Sequence, residues 1–172
     1  MEKNLIIING TMGVGKSTVS QHLKRILPNA VLLDGDWCWD ADPFIVSNET
    51  KCMVVNNIAY LLTSFLTCSA YKNVVFCWVM NESDTLQSIL DKVTADNYKL
   101  YKFSLICTET ALKNRIENDV HNGIRDKSAF FKSAERLPDY DVQDTVKIDT
   151  SEIDAGTAAG TIYRYITESS II

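Results

Sequence analysis

The chain has 172 residues, 46% of them apolar and 23% charged, with only three prolines. That is enough for one domain with a sizeable core, and it excludes global disorder. Seventeen basic against twenty-two acidic residues leave a net charge of −5, which argues against nucleic acid or an anionic membrane surface as a partner. The apolar start, Leu5 to Ile8, is cut short by Asn9 and Gly10 and is too brief for a signal peptide. The longest apolar stretch, Cys52 to Tyr71, is interrupted by Asn56, Asn57, Thr63 and Ser64, so it reads as a buried helix and not a membrane span. Five scattered cysteines without C-x-x-C spacing give neither a disulfide framework nor a zinc site, and a cytoplasmic setting is expected.

In chain order, the apolar run Leu5 to Ile8 suits a central parallel strand buried on both faces. Ser17 to Leu27 reads as a helix, with Val19, Leu23, Ile26 and Leu27 on one face and Pro28 as its stop. A second strand, Ala30 to Leu33, ends at Asp34. Met53, Val54, Ile58, Leu61, Leu62, Phe65 and Leu66 then recur at helical spacing, and Val74 to Val79 is the next strand. Leu86, Ile89, Leu90 and Val93 return to the helical period. Tyr101 to Ile106 is a strand, and Thr108 is placed to cap a helix carrying Leu112, Ile116 and Val120. Thr145 to Ile148 is the last strand, followed by a helix from about Asp154 to Glu168. Five strands, each followed by a helix, predict an α/β fold: a five-stranded parallel sheet with helices on both faces, in a single domain. The stretch 122–143 is the least regular and most polar, and a mobile lid is expected there.

The strongest motif is Gly10-Thr11-Met12-Gly13-Val14-Gly15-Lys16-Ser17, which fits G-x-x-x-x-G-K-[ST] directly after a buried strand and at the opening of an amphipathic helix. Glycines let the backbone curl so that several N–H groups point at one anion, and the helix N-terminus adds its partial positive charge. Lys16 supplies a full charge for the β- and γ-phosphates, and Ser17 a hydroxyl ligand for Mg²⁺. The expected fold is therefore the three-layer P-loop NTPase fold, and the nucleotide site is expected to include this loop and Thr18.

No Asp closes the third strand, which runs into Asn81-Glu82, and no N-K-x-D for guanine is present. The aspartates stand instead after the second strand, in Asp34-Gly35-Asp36. A hydroxyl acceptor needs a carboxylate to orient it and take its proton, a role given to Asp36, with Asp34 reaching Mg²⁺ through its water. Here the sequence resembles the P-loop small-molecule kinases, especially the shikimate kinase-like and gluconate kinase-like group, which shows D-x-D or D-G-D after the second strand. Leu112-Lys-Asn-Arg115 is similar to the group's L-x-x-R, which implies that Arg115 lies against adenine; its alternative is a solvated helix face. Arg125 stands where a lid arginine reaches the phosphates. Arg136-Leu-Pro-Asp-Tyr140 followed by Val146-Lys-Ile-Asp149-Thr150 resembles the group's R-x-P-x-Y and I-D-T, which brings Thr150 to the nucleotide. The third strand departs from the group by lacking its Gly-Gly; Trp78, Met80 and Asn81 stand there, which argues against shikimate as substrate.

From Asp34 to Thr50 the chain carries Asp34, Asp36, Asp40, Asp42 and Glu49 with no Lys or Arg, interleaved with Trp37, Trp39 and Phe44. Such a segment (the acceptor region, about 34–60) suits a polyhydroxylated or amine-bearing acceptor better than an anionic one. Trp37 and Trp39 are equally placed to cap the core, and Asn57 either faces the acceptor or satisfies a loop backbone; Arg136 completes the acceptor set. From Lys113 to Arg136 six basic residues oppose four acidic ones, a positive lid. The reaction expected is transfer of the γ-phosphate of MgATP to a hydroxyl of a small molecule (metabolite, nucleoside or antibiotic), with Lys16, Asp36 and Arg125 catalytic. The alternatives are a nucleoside or nucleotide kinase, and a nucleotide-binding regulator or ATPase without such an acceptor. A monomer or homodimer is expected.

Overall fold

Leu5 to Ile8 form the middle of strand β1 (Lys3–Asn9), and all four side chains are buried. Because side chains alternate along a strand, Ile6 and Ile8 enter one core and Leu5 and Ile7 another. The first core is closed by Val19 and Leu23 of α1 (Lys16–Ile26) and by Ala158, Ile162 and Ile166 of α7 (Ala155–Glu168). The second is closed by Val54, Ile58 and Leu62 of α2 (Asn48–Thr67) and Ile89 of α3 (Ser83–Leu90). Three layers follow from one two-sided apolar strand. This computed structural model describes residues 2–126 and 128–169.

Strand β1 lies between β3 (Asn73–Cys77) and β4 (Tyr98–Ile106), with β2 (Ala30–Asp34) outside β3 and β5 (Val146–Asp149) outside β4. Every neighbouring pair is parallel, and the register sets Ile8 and Asp34 both against Cys77. Strand β3 stops two residues before the expected Val79. The reason is Asn9, whose side-chain carbonyl accepts the Met80 N–H at 2.9 Å and so draws the chain out of the ladder.

Ser47, Thr108 and Asp154 cap α2, α4 (Glu109–His121) and α7 through side-chain oxygens. The stretch 122–143, expected to be irregular, is corrected by two short helices, α5 (Ala129–Glu135) and α6 (Leu137–Asp141). Its apolar positions are sparse in sequence but converge in space: Ala129, Phe130, Ala134 and Leu137 pack against Leu112 and Ile116, and Tyr140 is fully buried. The Thr11 hydroxyl donates to the Ser133 carbonyl, and the Gln143 amide donates to the carbonyls of Met80 and Asn81. Within the expected lid, Lys127 lies outside the described residues. No helix among the described residues is long and apolar enough to cross a membrane.

Candidate active site

From β1 the chain turns toward β2, and from β4 toward β5, so the carboxyl ends of β1 and β4 flank the reversal in winding where open α/β sheets bind ligands. The glycine-rich loop follows β1 at that point. Gly15, with φ of 106°, occupies the N-cap of α1, a left-handed conformation that side chains resist. Unlike α2, α4 and α7, α1 has no side-chain cap among the described residues, and its first turn carries no acidic residue. Its first N–H groups are left to serve an anion.

A cavity of about 500 Å³ opens over this loop, lined by residues 12–19, by Asp34, Asp36, Trp78 and Val79 on one side, and by Arg115, Asp119, Arg125, Thr150, Ile153, Asp154 and Ala155 on the other. Lys16 Nζ donates to the Thr11 carbonyl at 2.9 Å. Burial pushes the Lys16 ammonium down to about 8, against the pull of the Asp36 and Asp34 carboxylates; the positive charge of Arg125 adds to the downward push. Beneath it, burial lifts the Cys77 thiol to about 12, with Asp34 adding to the rise, so this sulfur is a neutral floor and not a nucleophile.

Ser17 Oγ donates to Asp34 Oδ2 at 2.6 Å. Asp34 caps the 3₁₀ turn Gly35–Cys38 by accepting from the Asp36 N–H, and the carboxylate of Asp36 accepts from Trp78 Nε1 at 3.0 Å. A hydroxyl and one carboxylate at the foot of a phosphate loop form a hard oxygen donor set. That set fits Mg²⁺, which takes one or two carboxylates and completes its shell with water and phosphate oxygens. Consistent with so sparse a set, no group of three or more metal-ligating His, Cys, Asp or Glu side chains occurs among the described residues.

Arg115 is tied down and not solvated: its guanidinium donates to the carbonyls of Val14 and Thr150 and to Thr150 Oγ1. Arg125 pairs with Asp119 at 2.7 Å. Thus the structure brings loop residues 12–15, Lys16, Ser17, Thr18, Asp34, Asp36, Arg115, Arg125 and Thr150 to one cavity, whereas Gly10 and Thr11 of the loop are buried outside its lining. Trp37, Trp39, Asn57 and Arg136 do not line it. Trp37 is 60% exposed, Trp39 packs on Phe44 and the α2 side of the core, Asn57 donates to the Cys38 carbonyl, and Arg136 is exposed. For Asn57, the loop-backbone alternative is the contact observed. Sequence reasoning did not assign Trp78, Asp119 or the 153–155 wall to the cavity. Trp78 carried a signal, since it stands just beyond the carboxyl end of a central strand; Asp119 and the wall carried none.

The sequence matches the AAA domain family over residues 6–136. The chain belongs to the AAA domain family. No curated protein sequence matches this AAA domain. Its fold is that of the P-loop small-molecule kinases. The tunicamycin resistance protein of Deinococcus radiodurans superposes with a TM-score of 0.69 at 13% identity, covering 96% of each chain. Shikimate kinase from Acinetobacter baumannii, solved with shikimate, gives 0.66 at 17% identity, covering 99% of this chain and 96% of the kinase. A gluconokinase from Sinorhizobium meliloti gives 0.62 at 15% identity, covering 98% of each. The five-stranded parallel sheet and its covering helices are common to this fold.

Proposed function

We propose that the protein transfers the γ-phosphate of MgATP to a hydroxyl of a small molecule. The observation that carries this reading is that Lys16, the hydrogen-bonded pair Ser17–Asp34 and the Asp36 carboxylate all line one cavity. The loop amides and Lys16 would hold the β- and γ-phosphates, with Arg125 adding positive charge where it builds up. Ser17 would ligate Mg²⁺ and Asp34 one of its waters; the ion when bound neutralises phosphate oxygens. Asp36 would orient the acceptor hydroxyl and take its proton as the oxygen bonds to the γ-phosphorus, while the bond to the β,γ-bridging oxygen breaks and ADP leaves. Arg115 and Thr150, joined to each other and to Val14, would line the base end of the nucleotide.

Acceptor chemistry follows from the sign of charge. Lys16, Arg115 and Arg125 supply cations where a triphosphate lies, whereas residues 34–50 contain no Lys or Arg. A neutral or amine-bearing hydroxyl compound suits the acceptor end better than a phosphorylated or carboxylated one. Coupled measurement of ADP release across sugars, nucleosides and aminoglycosides tests the reading. Stimulation by at least one neutral or cationic acceptor, lost in Asp36→Asn, is the expected result. ATP binding with no stimulation by any acceptor would instead favour a nucleotide-binding regulator.

A further inference from the structure

The kinase reading leaves Trp78 without a role, although this residue is one of the three, with Met80 and Asn81, that stand in the region where the resembling group has Gly-Gly. Its indole is fixed from two sides. One side rests on Gly35: a Cβ at that position would lie 2.4 Å from the ring Cγ and 2.5 Å from Cδ1. The other constraint is the 3.0 Å hydrogen bond from Nε1 to Asp36 Oδ1, spanning 42 positions of sequence. Asp36 itself lies on the 3₁₀ turn with an exposed side chain, and its backbone N–H is engaged by Asp34. An exposed carboxylate rotates freely about two torsions unless something holds it.

We propose that Trp78 is a positioning residue for phosphoryl transfer: its indole N–H pins one oxygen of Asp36, leaving the other to face the acceptor hydroxyl at the cavity floor. Indole suits the task because it donates only; it cannot take the proton in place of the carboxylate. Gly35 is the second half of the device, since any larger residue displaces the ring. The inference rests on the assignment of Asp36 as base.

The test needs no identified acceptor. Trp37, Trp39 and Trp78 give three indole N–H signals in a ¹H–¹⁵N spectrum, and the one lost in Trp78→Phe belongs to Trp78. That signal should move in Asp36→Asn and also in Gly35→Ala, which keeps all three tryptophans and serves if Trp78→Phe folds poorly. Turnover is read as labelled phosphate released from MgATP with water as the acceptor. Trp78→Phe and Gly35→Ala should each lower kcat about tenfold with KM for MgATP within about twofold, as expected for lost orientation and not lost binding. Trp78→Phe combined with Asp36→Asn should be no slower than Asp36→Asn alone. An unmoved signal in Asp36→Asn, wild-type turnover in both Trp78→Phe and Gly35→Ala beside an impaired Asp36→Asn, or losses that multiply would each overturn the proposal. Full turnover in Asp36→Asn, or no phosphate transfer to water or to any of the sugars, nucleosides and aminoglycosides by a wild type that binds MgATP, removes the base assignment and the positioning role with it. A Trp78 signal that still responds to Asp36→Asn then marks the base assignment, and not the contact, as the failed step.

Discussion

Ile116 of α4 fills the space directly above Gly13 of the phosphate loop: a Cβ at Gly13 would come within 2.8 Å of Ile116 Cγ1. Gly13 also has a φ of 85°, so both backbone and packing exclude a side chain. Gly13→Ala should therefore cost about 1–3 kcal/mol of stability, read by urea denaturation. It should also weaken triphosphate binding by moving the loop off α4. Unchanged stability would mean that α4 does not brace the loop.

Lys16 gives a prediction with opposite signs for stability and binding. Its ordinary value of 10.5 is pushed to about 8 in the folded chain, chiefly by burial. Between those pH values the unfolded chain binds the extra proton, so stability rises with pH through that window; below pH 8 the full cost is present. That cost is on the order of 3 kcal/mol. Lys16→Met should raise Tm at pH 7 by about 6–12 °C and weaken triphosphate binding by about 100-fold or more. A fall in Tm would mean the ammonium is not strained.

The same shift predicts proton uptake. At pH 8 about half of the Lys16 side chains are neutral in the free protein, and a bound polyanion draws the proton back. Calorimetry of ATP binding at pH 8 in HEPES and in Tris should differ by the ionisation heat of about half a proton. Equal heats would place Lys16 away from the phosphates.

The Arg125–Asp119 pair is partly exposed on both sides, at 28% and 31%, and such pairs contribute at most about 1 kcal/mol. Arg125→Ala should leave stability within that margin while weakening triphosphate binding about tenfold. AMP binding, which lacks the distal phosphates, should change less than twofold. Equal losses for ATP and AMP would assign Arg125 to the base end.

Tyr140 is fully buried, yet its hydroxyl has no hydrogen-bond partner among the described residues. Burial accordingly pushes the phenol pKa upward. An unpaired buried hydroxyl costs about 1–3 kcal/mol, so Tyr140→Phe should hold or raise stability in urea denaturation. A loss of 1 kcal/mol or more would reveal a partner.

Local patterns carried much of the fold. The apolar run at Leu5–Ile8, the glycine spacing before Lys16 and the Thr108 cap each act through neighbours a few residues away, and each stands in the structure as read. The 122–143 stretch misled because its apolar side chains are thinly spaced and find partners on α4 and at Met12 and Cys107, distant in sequence. Strand order β2-β3-β1-β4-β5 is set by which edges pair, a choice no local period encodes. That order brings Asp34, Asp36 and Trp78 beside the phosphate loop and lets Arg115 reach Thr150, while Trp37 and Arg136 are left off the cavity. The sequence alone determined the grip on an anion, because a loop and a helix terminus are local objects. The surroundings of the cavity were decided only by tertiary pairing, because those side chains meet across tens of residues.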